Sequence, residues 1–353
     1  LMKYQHVENF PNINSWEIID NNCYYASGNL VKVIGKEVSI PIPLPYWGVE
    51  FNPSFFNVFT NRSVNTFFNY QGKVINTFEE KDFYYYFSDS SFIYYDRVSK
   101  RLMYNDLELL RGKMLSFYIF DDLLFFEKEN KIQTINFLSG QFLWEFSLAS
   151  LGKWKNSWDE ERDFEIRHFI GIYNRIIWAF IEIGGFIGLD IETGELKYHI
   201  PEYDEAIGKT ICKGKDFFRS DYFLNSEKGK ILGMAIDVFI EMDLTQEPPF
   251  VTQYGLQEEF EKYNIKKAND TAGSYVVQDN LLYFYLAEQL RFGILDINTK
   301  EIIYISEPIA VVERDDCFTQ LKDLKVSENK VYILDSNHTL HIFEREEQLK
   351  ITT

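Results

Sequence analysis

Among the places where this chain sets carboxylates side by side are Asp159-Glu160 and Asp315-Asp316. Such pairs serve general acid/base hydrolysis and oxygen-ligated metals. His338 and His341 have the outer spacing of a zinc motif. On a strand, residues three apart point to opposite faces, so these rings are not expected to share an ion. His6, His168 and His199 are scattered singles. Cys23, Cys212 and Cys317 are an odd, widely separated set, with neither metal spacing nor a disulfide framework. That usage fits a reducing, cytoplasmic setting. A phosphate-binding loop, a dinucleotide fingerprint and a nucleophile elbow are all missing. The sequence therefore assigns no catalytic residue, no metal ligand and no cofactor.

The same acids suit a second chemistry, the binding of a basic protein. Lys153-Trp154-Lys155-Asn156-Ser157-Trp158-Asp159-Glu160-Glu161 sets two Trp beside an acidic run. Glu202, Asp204 and Glu205 follow. Residues 256–267 read as a short helix with Leu256, Phe260 and Tyr263 on one side and Glu258 and Glu259 among its charges. Glu313, Asp315 and Asp316 close the set. Aromatic anchors provide burial and carboxylates steer an oppositely charged partner. The whole chain agrees, with 36 Lys and Arg against 54 Asp and Glu and a net charge of −18. Nucleic acid and anionic membrane surfaces are disfavoured, because their binders neutralise phosphates with basic side chains. No apolar run is long enough to span a bilayer. The segment from Leu1 lacks the apolar stretch of a secretory signal, and a signal removed ahead of it stays open.

The elements that must position these residues follow a repeat. Asn136, Asp190, Asp243 and Asp296 each end an apolar run and begin a turn, and they lie 54, 53 and 53 residues apart. A period near 50 with strand residues on both sides marks a radial β repeat. Asp or Asn at that place accepts backbone N–H groups from the turn, and Gly140 or Gly194 supplies positive φ. The chain's 32 Phe and 23 Tyr favour pleated surfaces. Each repeat resolves into four short strands, a meander of the kind that makes one propeller blade. Regular blades are expected over 114–148, 166–200, 217–253, 272–306 and 321–350. The aromatics near their ends, Trp144, Tyr198 and Tyr304, are placed to cover the gaps between neighbouring sheets.

Residues 15–110 repeat less cleanly. Two blades are legible there, and then three strands (residues 83–87, 92–96 and 101–104) without a visible fourth. The expectation is one all-β propeller over residues 1–353, of seven four-stranded antiparallel blades, with eight the alternative. Either residues 15–19 or the tail 348–352 would close the ring and remove an open edge. Links from one blade's outer strand to the next blade's inner strand emerge on one face. The long ones, 149–165, 201–216, 255–271 and 307–320, hold the acids and the Trp pair. Loops of this kind carry function more often than the scaffold does.

The stretch Gly185-Phe186-Ile187-Gly188-Leu189-Asp190-Ile191-Glu192-Thr193-Gly194-Glu195-Leu196-Lys197-Tyr198 resembles the repeat of quinoprotein-like (PQQ-type) propellers. The copies ending at Trp144 and Tyr304 are degenerate. The resemblance implies the blade type. The quinone, calcium and catalytic Asp of that family's enzymes find no matching constellation in this chain. The expected function is a non-catalytic, protein-binding propeller that uses its acidic long-loop face. One concrete form is an immunity-type protein that neutralises a cationic toxin. The alternatives are a glycan-active hydrolase or lyase with carboxylates at the central channel, and a scaffold without a specific acidic face.

Overall fold

The computed structural model describes residues 2–61, 64–88, 90–112, 116–155, 160–181, 185–200, 203–204, 209–210, 221–235, 237–266, 271–310 and 319–346. Eight four-stranded antiparallel sheets account for most of them. In chain order they are sheet I (residues 15–41), II (48–79), III (81–111), IV (117–147), V (166–200), VI (223–255), VII (271–305) and VIII (321–345 with 4–10). The favoured count of seven is thus corrected to eight. Sheet III does have a fourth strand, Leu107–Arg111, reached through a tight turn at Asn105 with φ 49°. The closing strand also differs from the candidate 15–19. Tyr4–Phe10 pairs antiparallel with Leu340–Arg345, while Ser15–Ile19 opens sheet I. The tail 348–352 lies outside the described residues.

Burial within a sheet is graded by strand position. Second strands are apolar on both faces and buried on both, as in Leu123–Lys128, Ile176–Ile181 and Leu281–Leu286. Their sequences read as continuous apolar runs because no face meets water. Fourth strands such as Val74–Glu79 and Gln141–Ser147 are mostly exposed. Each fully buried Phe of a second strand, such as Phe125, contributes about 2–3 kcal/mol of transfer free energy.

Contacts divide the chain into two compact units, residues 1–92 with 256–353, and residues 93–255. In the second unit, Asp190 accepts from the backbone N–H groups of Glu192 and Thr193 at 3.0 and 2.9 Å. Gly194 then takes φ 72°. Its missing side chain has a second use, since a Cβ there would lie 2.5 Å from the Trp144 ring. Trp144 therefore slides over the turn of sheet V and donates Nε1–H to the Ile191 carbonyl at 2.9 Å. Tyr198 repeats the move toward sheet VI, donating to Glu247 at 2.6 Å.

In the first unit, Asp296 makes the same turn, with Lys300 at φ 65° in place of glycine. Tyr304 packs its ring 5.2 Å from Tyr4 of the closing strand. Asp335 caps a further turn, accepting from the N–H groups of Asn337 and Thr339, and its other oxygen meets buried His341 at 3.0 Å. These bonds hold the Asp335 carboxyl below its usual range against the desolvation that would raise it. His338 sits in that turn at φ 63° rather than on the strand, and its Nδ1 faces the Ile13 carbonyl. Strand alternation therefore does not govern this pair, because only His341 lies on the strand.

Candidate interaction surface

A four-stranded meander turns at alternate ends, so its last strand leaves at the end where its first strand entered. Sheet V shows this in register. Ile166 pairs with Ile181, Ile181 with Gly185, and Phe186 with Ile200. The connections 148–165 and 201–222 thus flank one end of sheet V. Both contain built structure. The first forms a short helical turn, Leu148–Leu151, and then a hairpin of Lys153–Lys155 with Glu161–Asp163. The second forms a hairpin of Tyr203–Asp204 with Lys209–Thr210.

Each connection is clamped where it re-enters the sheet. Buried Glu127 accepts the Ile166 N–H at 3.2 Å. Desolvation pushes that carboxyl up to about 7, with the neighbouring Glu165 charge adding to the effect and the Ile166 bond opposing it. His168 accepts the Tyr222 N–H on Nε2 at 3.2 Å and stacks on the Tyr222 ring at 5.9 Å. Burial lowers the pKa of His168, which favours the neutral ring that this acceptor role requires. Sequence reading assigned nothing to either residue. Glu127 looks like a surface acid at a strand end, and His168 like a core histidine.

The hairpins temper the acidic reading. Across the first, Lys153 stands opposite Asp163 and Lys155 opposite Glu161. Across the second, Asp204 stands opposite Lys209. In the first hairpin, Lys153 and Asp163 carry opposite charges at facing positions, which supports the hairpin itself. Glu160 is exposed and ion-paired to Arg162 at 2.8 Å, and Glu161 is exposed. For Trp154 and Asp204 the backbone alone is described. Trp158, Asp159, Glu202, Glu205, Glu313, Asp315 and Asp316 lie outside the described residues.

In the first unit, the connection from 256 onward is anchored by Leu256, Phe260 and Ile265, all buried. Its helix is shorter than expected, Gln257–Glu261. Tyr263 lies on the Leu256 and Phe260 side and donates its hydroxyl to the Ile302 carbonyl at 3.0 Å. Glu258 is exposed. Glu259 instead works for the fold, accepting the Ile302 N–H at 3.2 Å and pairing with Lys262 at 2.6 Å.

A shorter connection in the same unit holds what sequence reading missed. Residues 42–47, Ile42-Pro43-Leu44-Pro45-Tyr46-Trp47, join sheet I to sheet II. Ile42 is buried and donates to the Asn29 carbonyl, the Tyr46 hydroxyl accepts from Asn14, and the Trp47 N–H meets the Phe59 carbonyl. On this tethered backbone Leu44 and Trp47 stand 64% and 70% exposed. The alternating prolines beside an aromatic pair were the available signal, since they mark a stiff, presented loop.

On the innermost strands of sheets I and VIII, Glu17 pairs with Lys325 at 2.6 Å, and the Lys325 ammonium lies 4.8 Å from the Trp16 ring centre. Asp323 lies near this pair, and desolvation raises its carboxyl despite the attraction of Lys325. Among the described residues, no group of three or more His, Cys, Asp and Glu is placed to hold a metal ion. No described helix is long and apolar enough to cross a membrane.

No family model and no curated protein matches this sequence. Solved structures do resemble its fold. BamB from Moraxella catarrhalis is similar at a TM-score of 0.57 and 10% identity, over 97% of this chain and 100% of that one. Sqt1 from Saccharomyces cerevisiae is similar at a TM-score of 0.60 and 10% identity, over 97% and 99%. The computationally designed protein Ika8 gives a TM-score of 0.50 and 12% identity, over 95% and 96%. Likeness at such identity shows the fold alone, an all-β propeller of four-stranded antiparallel blades.

Proposed function

We propose that this chain is a non-catalytic propeller that binds a basic protein through the connections leading from outer to inner strands. The observation that carries this reading is the pair Leu44 and Trp47, 64% and 70% exposed on a loop tied down by the Ile42 and Trp47 N–H groups and by the Tyr46 hydroxyl. Holding large apolar groups in water on a rigid frame costs stability and lowers the ordering penalty of binding. The net charge of −18 favours a cationic partner and speeds its encounter. Exposed Glu160, Glu161 and Glu258 on other connections add to that field. The family name of the partner does not follow from these features; its chemistry does. A cationic toxin that this chain would cap and neutralise is the specific form.

Affinity capture from native lysate tests the reading, run at about 0.05 M and about 0.5 M salt, where screening differs strongly. Wild type should retain a basic protein at low salt and lose much of it at high salt. The double substitution Leu44→Ser with Trp47→Ser should reduce capture at both. Retention of nothing at low salt would remove the proposal.

A further inference from the structure

In the first unit, the first three strands of sheet II and the first strand of sheet III bring together one carboxylate, one phenol and two carboxamides. Asn57 is wholly buried and donates Nδ2–H to the Tyr86 hydroxyl at 2.9 Å, with Asn65 Oδ1 further off at 3.4 Å. Asn65 is fixed in turn, donating to the Lys81 carbonyl at 2.8 Å. Tyr86 passes the chain on by hydrogen bonding to the Glu50 carboxylate. Phe55, Phe67 and Phe83 surround the Tyr86 ring at 5.4 Å each. The network leaves one buried acceptor short of a donor. Asn57 Oδ1 is buried and meets no partner. Glu50 is exposed, receives neutral donors and has no described cation paired with it.

We infer that Glu50, Asn57 and Tyr86 form a binding site for a primary ammonium group, and that a lysine of the partner protein supplies it. The inference rests on the protein-binding reading for the source of the amine, not for the site. A buried carbonyl without a donor costs about 1–3 kcal/mol and is most simply relieved by an N–H from a ligand. An ammonium brings three donors and the charge that Glu50 lacks, and its methylene stem suits aromatic walls. A guanidinium fits less well, because its planar fork seeks both carboxylate oxygens and Tyr86 already engages this carboxylate. Desolvation holds the Glu50 carboxyl above its usual range, and the bonds from Tyr86 and Asn57 offset this only in part. A bound cation would reverse the balance.

The test is a titration of the isotope-labelled chain with n-butylammonium chloride, against sodium chloride at equal ionic strength and 1-butanol as the uncharged control. Saturable shifts are expected at the amides of Gly48–Phe51 with the amine alone. Glu50→Gln keeps the shape and the bond from Tyr86, and should weaken the amine by about tenfold or more, the loss of one charged hydrogen bond. Tyr86→Phe keeps the ring packing and should weaken it several-fold. No saturable shift, or equal affinity in Glu50→Gln, overturns the site. The source is then decided on the captured partner. If Glu50→Gln weakens that complex about tenfold, the ammonium is a partner lysine. If it leaves the complex unchanged while abolishing amine binding, the lysine assignment is overturned and the site serves a free amine. If no partner is captured at all, the protein-binding reading fails and the amine titration still decides the site.

Discussion

Glu127 shows how one side chain couples the surface to the core. Its carboxyl titrates near 7 in the fold and near 4.5 when unfolded. A raised acid stabilises the fold fully below the unfolded value, and that contribution is lost as pH climbs through the folded one. Glu127→Gln keeps an acceptor for the Ile166 N–H and removes the charge. The variant should therefore be more stable than wild type by roughly 1–2 kcal/mol at about pH 8, and equal to it near pH 4.5. Thermal unfolding across that range reads the difference. A second residue-scale expectation concerns Gly194. An alanine there would be strained at φ 72° and would push its Cβ to 2.5 Å from Trp144. Gly194→Ala should cost about 2–4 kcal/mol, read by denaturant unfolding of the second unit's fluorescence, and Trp144→Ala in the same chain should recover part of it. Gly194 was legible in sequence, because Thr-Gly after Asp is local turn chemistry. Glu127 was not, because its burial comes from a connection that returns to it 39 residues later.

At the scale of elements, legibility followed burial. Strands buried on both faces stood out as apolar runs, and the turn after Asp190 fixed its neighbours. Two of the strands that sequence reading missed break that pattern. Tyr4–Phe10 is polar and exposed along most of its length, so nothing in its own composition marks a strand. Its place is set by pairing with Leu340–Arg345, which lies at the other end of the chain. Leu107–Arg111 alternates too weakly to be told from a helix fragment. Deleting residues 2–10 should expose the edge of Leu340–Arg345, lower the melting temperature and promote self-association. Light scattering at rising concentration checks this, and an unchanged monomer would contradict it. The hairpin Lys153–Lys155 with Glu161–Asp163 belongs to the opposite class, with Lys153, Glu161, Arg162 and Asp163 all exposed. Replacing it with a short Gly-Ser link should leave the melting temperature nearly unchanged while weakening partner capture.

For the whole molecule, the 53-residue spacing made the propeller readable, and the likeness to propellers of 10% identity supports that fold without choosing a blade family or a function. The blade count was harder, since sheet III places its Asp96 turn between its second and third strands, where sheets IV to VII place theirs between the third and fourth. The candidate surface was legible only where acids and Trp cluster in long connections. The short loop 42–47, which presents the most exposed aromatic among the described residues, offered only its alternating prolines as a signal, because exposure is a property of the fold and not of Leu-Pro-Tyr-Trp as a string. A net charge of −18 gives the molecule a long-range preference for cations that no single loop supplies. Association with the partner should therefore slow steeply with added salt, while dissociation changes little. Stopped-flow mixing separates the two rates.

The most direct measurement is hydrogen exchange of the chain with and without the captured partner. The account predicts added protection in residues 42–51, 148–155 with 160–165, and 256–266. Protection confined to outer strands such as Val74–Glu79 and Gln141–Ser147, with those connections unchanged, would contradict it.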